Sequence, residues 1–137
     1  MKIIFLDIDG VLNSVRYDRQ RTIDQGNIDE TRLQLIKALV DETKALIVLS
    51  SSWRKHWEKD ITKCDAIGRE INEVFAKYQL AIYDKTELLP SNDRAQEIRI
   101  WLKLQGPRRA LRCADTQQRY VHLCALPRRA GISRTLL

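Results

Sequence analysis

Ile3-Ile4-Phe5-Leu6-Asp7-Ile8-Asp9-Gly10-Val11-Leu12-Asn13 is the stretch on which the reading of the chain turns. Four apolar residues run without a break into two acids, one residue apart, and a glycine. A run apolar at every position suits a strand buried on both faces of a parallel sheet. Such a strand delivers its next residues to the carboxyl edge of the sheet, where α/β proteins bind ligands. Gly10 lets the chain turn at once, so Asp9 can swing back over the crevice that Asp7 enters. Two close carboxylates repel unless a proton or a cation is shared. A hard divalent ion such as Mg²⁺, which takes oxygen ligands, relieves that repulsion. One carboxylate can then attack phosphorus while the other transfers a proton. The same residues also describe a strand-end turn whose acids only cap a helix.

Outward from this stretch, residues 14–27 are polar and read as a loop or short flap. Asn27 is a candidate cap for a helix over about 28–43, with Asp29 and Glu30 in its first turn. Residues 45–50 (ALIVLS) form a second buried strand, and strand, helix, strand in this order predicts a crossover between parallel strands. A helix over about 69–79 would turn Ile71, Val74, Phe75 and Tyr78 inward, and residues 80–83 (LAIY) would be a strand. Pro90-Ser91-Asn92-Asp93 signals a helix start. That helix runs to about Leu104, with Ala95, Ile98, Trp101 and Leu102 inward, and Gly106-Pro107 ends it. The expected fold is a three-layer, Rossmann-like α/β core with a mostly parallel sheet and a small cap or none. Residues 1–106 form the core, and 107–137 form an Arg-rich segment in which only RYVHLCAL looks like a strand.

The run Asp7-Ile8-Asp9-Gly10-Val11 after an apolar strand resembles the first motif of the haloacid dehalogenase (HAD) superfamily. The resemblance implies a phosphohydrolase in which Asp7 forms an aspartyl-phosphate. It implies that Asp9 protonates the leaving group and later activates water. Asp7 and the Asp9 backbone carbonyl would hold Mg²⁺. Ile47-Val48-Leu49-Ser50 resembles the second motif, whose hydroxyl and nearby backbone N–H groups hold phosphoryl oxygens. Ser50, Ser51, Arg54 and Asn13 are the candidate phosphate-binding residues. Neutral donors suit that task because they stabilise charge without neutralising the nucleophile. Arg94 is the candidate for the third motif, a cation that offsets the charge of the aspartyl-phosphate, with Lys85 as runner-up. SSSWR, DIDGVLN and Arg94…Glu97-Ile98…Trp101-Leu102 are together similar to the small HAD domains of RNA-repair (Swiss Army Knife) proteins. The implied substrate is a phosphate on an RNA or DNA end. Arg54 would then contact a phosphate and Trp53 would stack on a base. The plainer alternative has Trp53 and Trp57 packing one helix face and Arg54 in solvent.

The fourth motif of that superfamily, an apolar strand ending in acids, should come about ten residues after the Arg94 helix. The sequence there is ALRCADTQQ, and Asp115 is the only acid after Glu97. Asp115 is the candidate third metal ligand, behind a lead-in, Leu111 to Ala114, that makes a poor buried strand. A shift of reading frame near Gly106 relative to its relatives would explain the break. Codons for Leu-Arg-Cys-Ala can read Tyr-Ala-Val-Leu one base later.

Composition frames these readings. The chain has 137 residues, 44% hydrophobic and 31% charged, enough for one soluble domain with a core. No run approaches the roughly 20 apolar residues that span a bilayer, and the opening lacks a signal peptide's pattern. The expected location is therefore cytoplasmic, with no membrane partner, and Cys64, Cys113 and Cys124 as reduced thiols. The net charge of +6 is uneven: up to Gly106 nine Lys and eight Arg balance seventeen acids, and beyond it seven Arg face Asp115 alone. Three functional readings remain: a Mg²⁺-dependent phosphatase, an inactive HAD-like domain, and a nucleic-acid binder that uses the basic tail.

Overall fold

β1 (Ile3–Leu6) is buried at all four positions, as a strand without a polar residue must be. The computed structural model describes residues 1–110 and 120–123. β1 pairs in parallel with β2 (Leu46–Leu49) on one side and with β4 (Tyr120–Leu123) on the other. β3 (Ile82–Lys85) lies outside β2, also parallel, so the sheet order is β3-β2-β1-β4. The strand-like RYVHLCAL thus supplies β4, which stands directly beside β1.

Side chains alternate across a sheet, and the core divides accordingly. Ile4 and Leu6, with Ile47 and Leu49, face Leu33 and Ile36 of α2 (Glu30–Thr43) and Ile71, Val74 and Phe75 of α3 (Ala66–Lys77). Ile3, Phe5 and Val48 face Trp101 of α4 (Arg94–Ala110) on the opposite side. The Phe5 and Trp101 rings meet edge to face, with centroids 5.4 Å apart. Each fully buried Ile, Leu or Phe stabilises the fold by about 1.5–3 kcal/mol relative to exposure. Helices, sheet and helix make the three-layer α/β core expected from the sequence. Among the described residues no helix is long and apolar enough to cross a membrane.

Several boundaries differ from expectation, each for a local reason. Within 14–27 a six-residue helix, α1 (Val15–Gln20), replaces the expected loop, because the Ser14 side chain accepts the Tyr17 N–H and caps it. Asn27 does not cap α2. Its backbone and side-chain N–H groups both go to Glu70, and Asp29 caps instead through Thr31 N–H. α3 starts at Ala66 because Asp65 accepts both the Ile67 and Gly68 N–H groups. β3 begins at Ile82 because Leu80 is still engaged in ending α3. Its N–H donates to Phe75 O, with Gln79 in the left-handed region. On α4, Ala95 is exposed, and the inward position of that turn belongs to Glu97. α4 continues past Gly106-Pro107 to Ala110; a proline removes one donor, and the Arg, Arg and Ala after it are good helix formers.

Candidate active site

The carboxyl ends of β1 and β2 lie side by side, since Leu6 registers with Leu49 and the Ser50 N–H donates to Leu6 O at 2.9 Å. Asp7 and Ser50 therefore leave the sheet as neighbours. Asp7 is nearly buried, and its Oδ1 accepts the Ile8 N–H at 2.9 Å. Its Oδ2 pairs with the Arg94 guanidinium, which the first turn of α4 carries in from 87 residues away. Of the two cations considered for this position, Arg94 is the one that reaches Asp7. Lys85 donates instead to Arg54 O, Trp57 O and the Glu58 carboxylate, all at 2.7–3.1 Å, and so braces the segment after β2.

Asp9 is exposed and turned back toward that segment. The residues after Asp9 fold on themselves: the Val11, Leu12 and Asn13 N–H groups all converge on Ile8 O. Gly10 adopts φ 75°, a conformation that favours glycine. Three donors hold the Asp9 carboxylate: Trp53 Nε1 at 2.9 Å and Asn13 Nδ2 at 3.2 Å on Oδ1, and Ser52 Oγ at 3.3 Å on Oδ2. Asn13 also accepts the Gly10 N–H at 2.9 Å, so this nearly buried side chain braces the acidic turn. The Trp53 indole N–H is thus spent on Asp9, a role that its residue type alone did not reveal. Ser52 is marked in the sequence only as part of the SSSWR string.

Ser50 and Ser51 are fully buried at the start of a 3₁₀ turn over Ser52–Lys55. The Ser50 hydroxyl lies 3.4 Å from Leu6 O, and Ser51 Oγ accepts the Trp53 N–H. Arg54 is placed neither as an exposed phosphate contact nor as a solvated side chain. It is 3% exposed and forms a 2.6 Å ion pair with Glu97, itself 1% exposed. Its Nη1 donates to Ser50 O and Ser51 O. Burial pushes the Arg54 guanidinium below its usual value, the adjacent Glu97 carboxylate pulls it back up, and Arg94 pushes it down. Glu97 was legible only as part of a string of similar residues, because nothing local marks an acid as buried. Trp57 packs in the core, with its Nε1 on Asn72, as the plainer reading had it. Cys64 is a free, buried thiol. Asp115, Cys113 and Cys124 lie outside the described residues.

The donor chemistry fits a hard cation. Asp7 and Asp9 follow the end of β1 within three residues of one another, and Mg²⁺ commonly uses one or two carboxylates plus water and substrate oxygens. Among the described residues no group of three His, Cys, Asp or Glu could hold a metal ion. Asp7 and the Asp9 backbone carbonyl are oxygen donors of the kind that could hold such an ion, and the further ligand expected at Asp115 lies outside the described residues.

Comparison with known proteins agrees with this geometry. The family model for the HAD domain in Swiss Army Knife RNA repair proteins matches residues 3–129, and it places the chain in a superfamily of hydrolases and phosphatases. No curated protein and no solved structure matches. With nearly its whole length matched, its parallel α/β core, and an acid pair at the end of the central strand, the chain belongs to the HAD superfamily as a domain of the Swiss Army Knife RNA repair type.

Proposed function

We propose that this domain is a Mg²⁺-dependent phosphohydrolase working through an aspartyl-phosphate on Asp7, with a phosphorylated RNA or DNA end as substrate. The observation that carries the reading is a convergence. Asp7 from β1, Ser50 and Ser51 after β2, and Arg94 from α4 meet at one end of the sheet, beside Asp9. Bound Mg²⁺ would offset negative charge on the phosphoryl oxygens and on Asp7.

The chain's own residues do the rest. The Ser50 hydroxyl and the Ser51 and Ser52 N–H groups orient the phosphoryl group by donating to its oxygens. Asp7 attacks phosphorus, the ester P–O bond breaks, and Asp9 gives its proton to the departing oxygen. Asp9, now ionised, takes a proton from a water molecule. The resulting hydroxide attacks the same phosphorus, releases phosphate and restores Asp7. Arg94 offsets the charge that Asp7 loses and regains. The bonds from Trp53, Asn13 and Ser52 steady Asp9 between the two proton transfers.

A nucleic-acid end is favoured by the family's RNA-repair setting and by the lack of a separate cap between Ser50 and Arg94 among the described residues. Between Ser50 and Arg94 the elements are two 3₁₀ turns, Ser52–Lys55 and Ile61–Lys63, then α3 and β3, and Trp57, Ile71, Phe75 and Leu80 all belong to the core. A second reading, a domain that binds phosphate without turnover, draws on one observation. β4 stands beside β1, and the residues after it, Cys124, Ala125 and Leu126, include no acid.

The test is phosphate release from an aryl phosphate and from a 3′-phosphorylated oligonucleotide, with and without Mg²⁺. The expected result is Mg²⁺-dependent release that disappears in Asp7→Asn. Release that survives Asp7→Asn refutes the mechanism. Phosphate binding with no release by the wild type selects the second reading.

A further inference from the structure

We propose that Arg54 and Glu97 form a positioning pair that holds the phosphate-binding segment and Arg94 in register, an inference that rests on the phosphate-binding role proposed for Ser50–Ser52. Arg54 lies just beyond β2, and Glu97 lies one helical turn beyond Arg94 on α4, so their ion pair ties together the two elements that converge on Asp7. Every strong bond of the pair serves that junction. Arg54 Nη1 donates to Ser50 O at 2.5 Å and Ser51 O at 3.0 Å. Arg54 Nη2 donates to Glu97 Oε2 at 2.6 Å. Glu97 Oε1 accepts the Leu89 N–H at 2.9 Å and so also holds the loop that leads into α4.

Peptide geometry carries this bracing into the site. In a planar trans peptide the N–H points opposite to the C=O, and no peptide bond among the described residues is cis. With Ser50 O and Ser51 O held against the guanidinium, the Ser51 and Ser52 N–H groups must point away from it. Neither N–H donates to an acceptor among the described residues. Ser51 is nonetheless fully buried, and a buried N–H without a partner costs about as much as a lost hydrogen bond. The pair therefore keeps two donors open for phosphoryl oxygens. Replacing a buried ion pair with apolar residues is often neutral or stabilising, so stability alone does not account for placing these two charges here.

The test compares wild type, Arg54→Lys, and Arg54→Met/Glu97→Leu. Lysine keeps the charge but cannot hold both carbonyls and Glu97 at once. The double change removes both buried charges and keeps the question open should the single change unfold. Three quantities are read: the thermal midpoint, kcat and KM for an aryl phosphate, and the Ser51 and Ser52 amide resonances during titration with inorganic phosphate in magnesium chloride. The expected result is a folded variant whose kcat falls about tenfold to a hundredfold, on the scale of a weakened oxyanion donor. Its phosphate titration weakens in parallel, and the two amide shifts shrink. A folded variant with wild-type kcat and wild-type phosphate affinity overturns the inference. So does a wild type whose Ser51 and Ser52 amides ignore phosphate. If the wild type shows no turnover, the phosphatase reading fails by itself, and the phosphate titration still decides the role of the pair.

Discussion

Gly68→Ala separates the structure from simple helix propensity. Gly68 lies in the first turn of α3, where alanine would ordinarily be favoured by about 0.8–1 kcal/mol. The structure reverses the sign. A Cβ at this position would stand 2.0 Å from His56 O, 2.8 Å from His56 C and 3.0 Å from Cys64 Cβ. A carbon facing a carbonyl oxygen settles at about 3.3–3.6 Å, so His56 would have to retreat by roughly an ångström or more. The obstacle is backbone, and it is hemmed in: Lys85 grips the carbonyls of Arg54 and Trp57 on either side, and Glu58 N–H is bonded to Cys64 Sγ. Overpacking of this kind costs about 1–3 kcal/mol, and this site belongs in the upper part of that range. After the propensity gain the net loss is about 1–2 kcal/mol. At about 3–5 °C per kcal/mol for a chain of this size, the thermal midpoint should fall by roughly 3–10 °C. Urea and thermal unfolding monitored by tryptophan fluorescence and circular dichroism measure the change. Because His56 closes the 3₁₀ turn that presents Trp53 to Asp9, turnover should fall as well. A variant as stable as wild type, or more stable, refutes the reasoning.

Other residues give predictions of the same kind. Trp53→Phe keeps an aromatic side chain but removes the N–H that holds Asp9 and one ring's packing against the core; it should lower stability by about 1–3 kcal/mol and reduce kcat several-fold, and an unchanged kcat in steady-state kinetics would count against the role assigned to Trp53. Glu97→Ala strands a buried guanidinium and should cost about 3–5 kcal/mol in urea titrations; a loss far below that would mean water or another group readily replaces the carboxylate. Asp65 caps α3, and the Gly68 N–H first, then His56, hold its carboxyl below the usual 3.8. A depressed folded value means that its stabilisation is fully present above the unfolded value and is lost as pH falls through the folded value. Melts of wild type and Asp65→Ala should therefore differ at neutral pH and converge in acid, and a gap that persists in strong acid contradicts the assignment.

Much of the fold was legible because it is encoded locally. The unbroken apolar run at residues 3–6 must be buried on both faces, and the acids and glycine next to it must leave the sheet at its carboxyl end, so β1 and the Asp7–Asp9 pair could be read from a dozen residues. The inward face of α3, with Ile71, Val74 and Phe75, comes from the 3.6-residue period. Element ends were less legible where a neighbour competed for the same group: Asn27 is taken by Glu70, and Leu80 is taken by the end of α3. What only the tertiary structure decided are pairings across long stretches of chain, Arg54 with Glu97, Trp53 with Asp9 and Arg94 with Asp7. No period links residues 43 to 87 positions apart. A charged side chain looks alike in sequence whether water or a counter-ion will surround it, and only the packing of α4 against the sheet settles which.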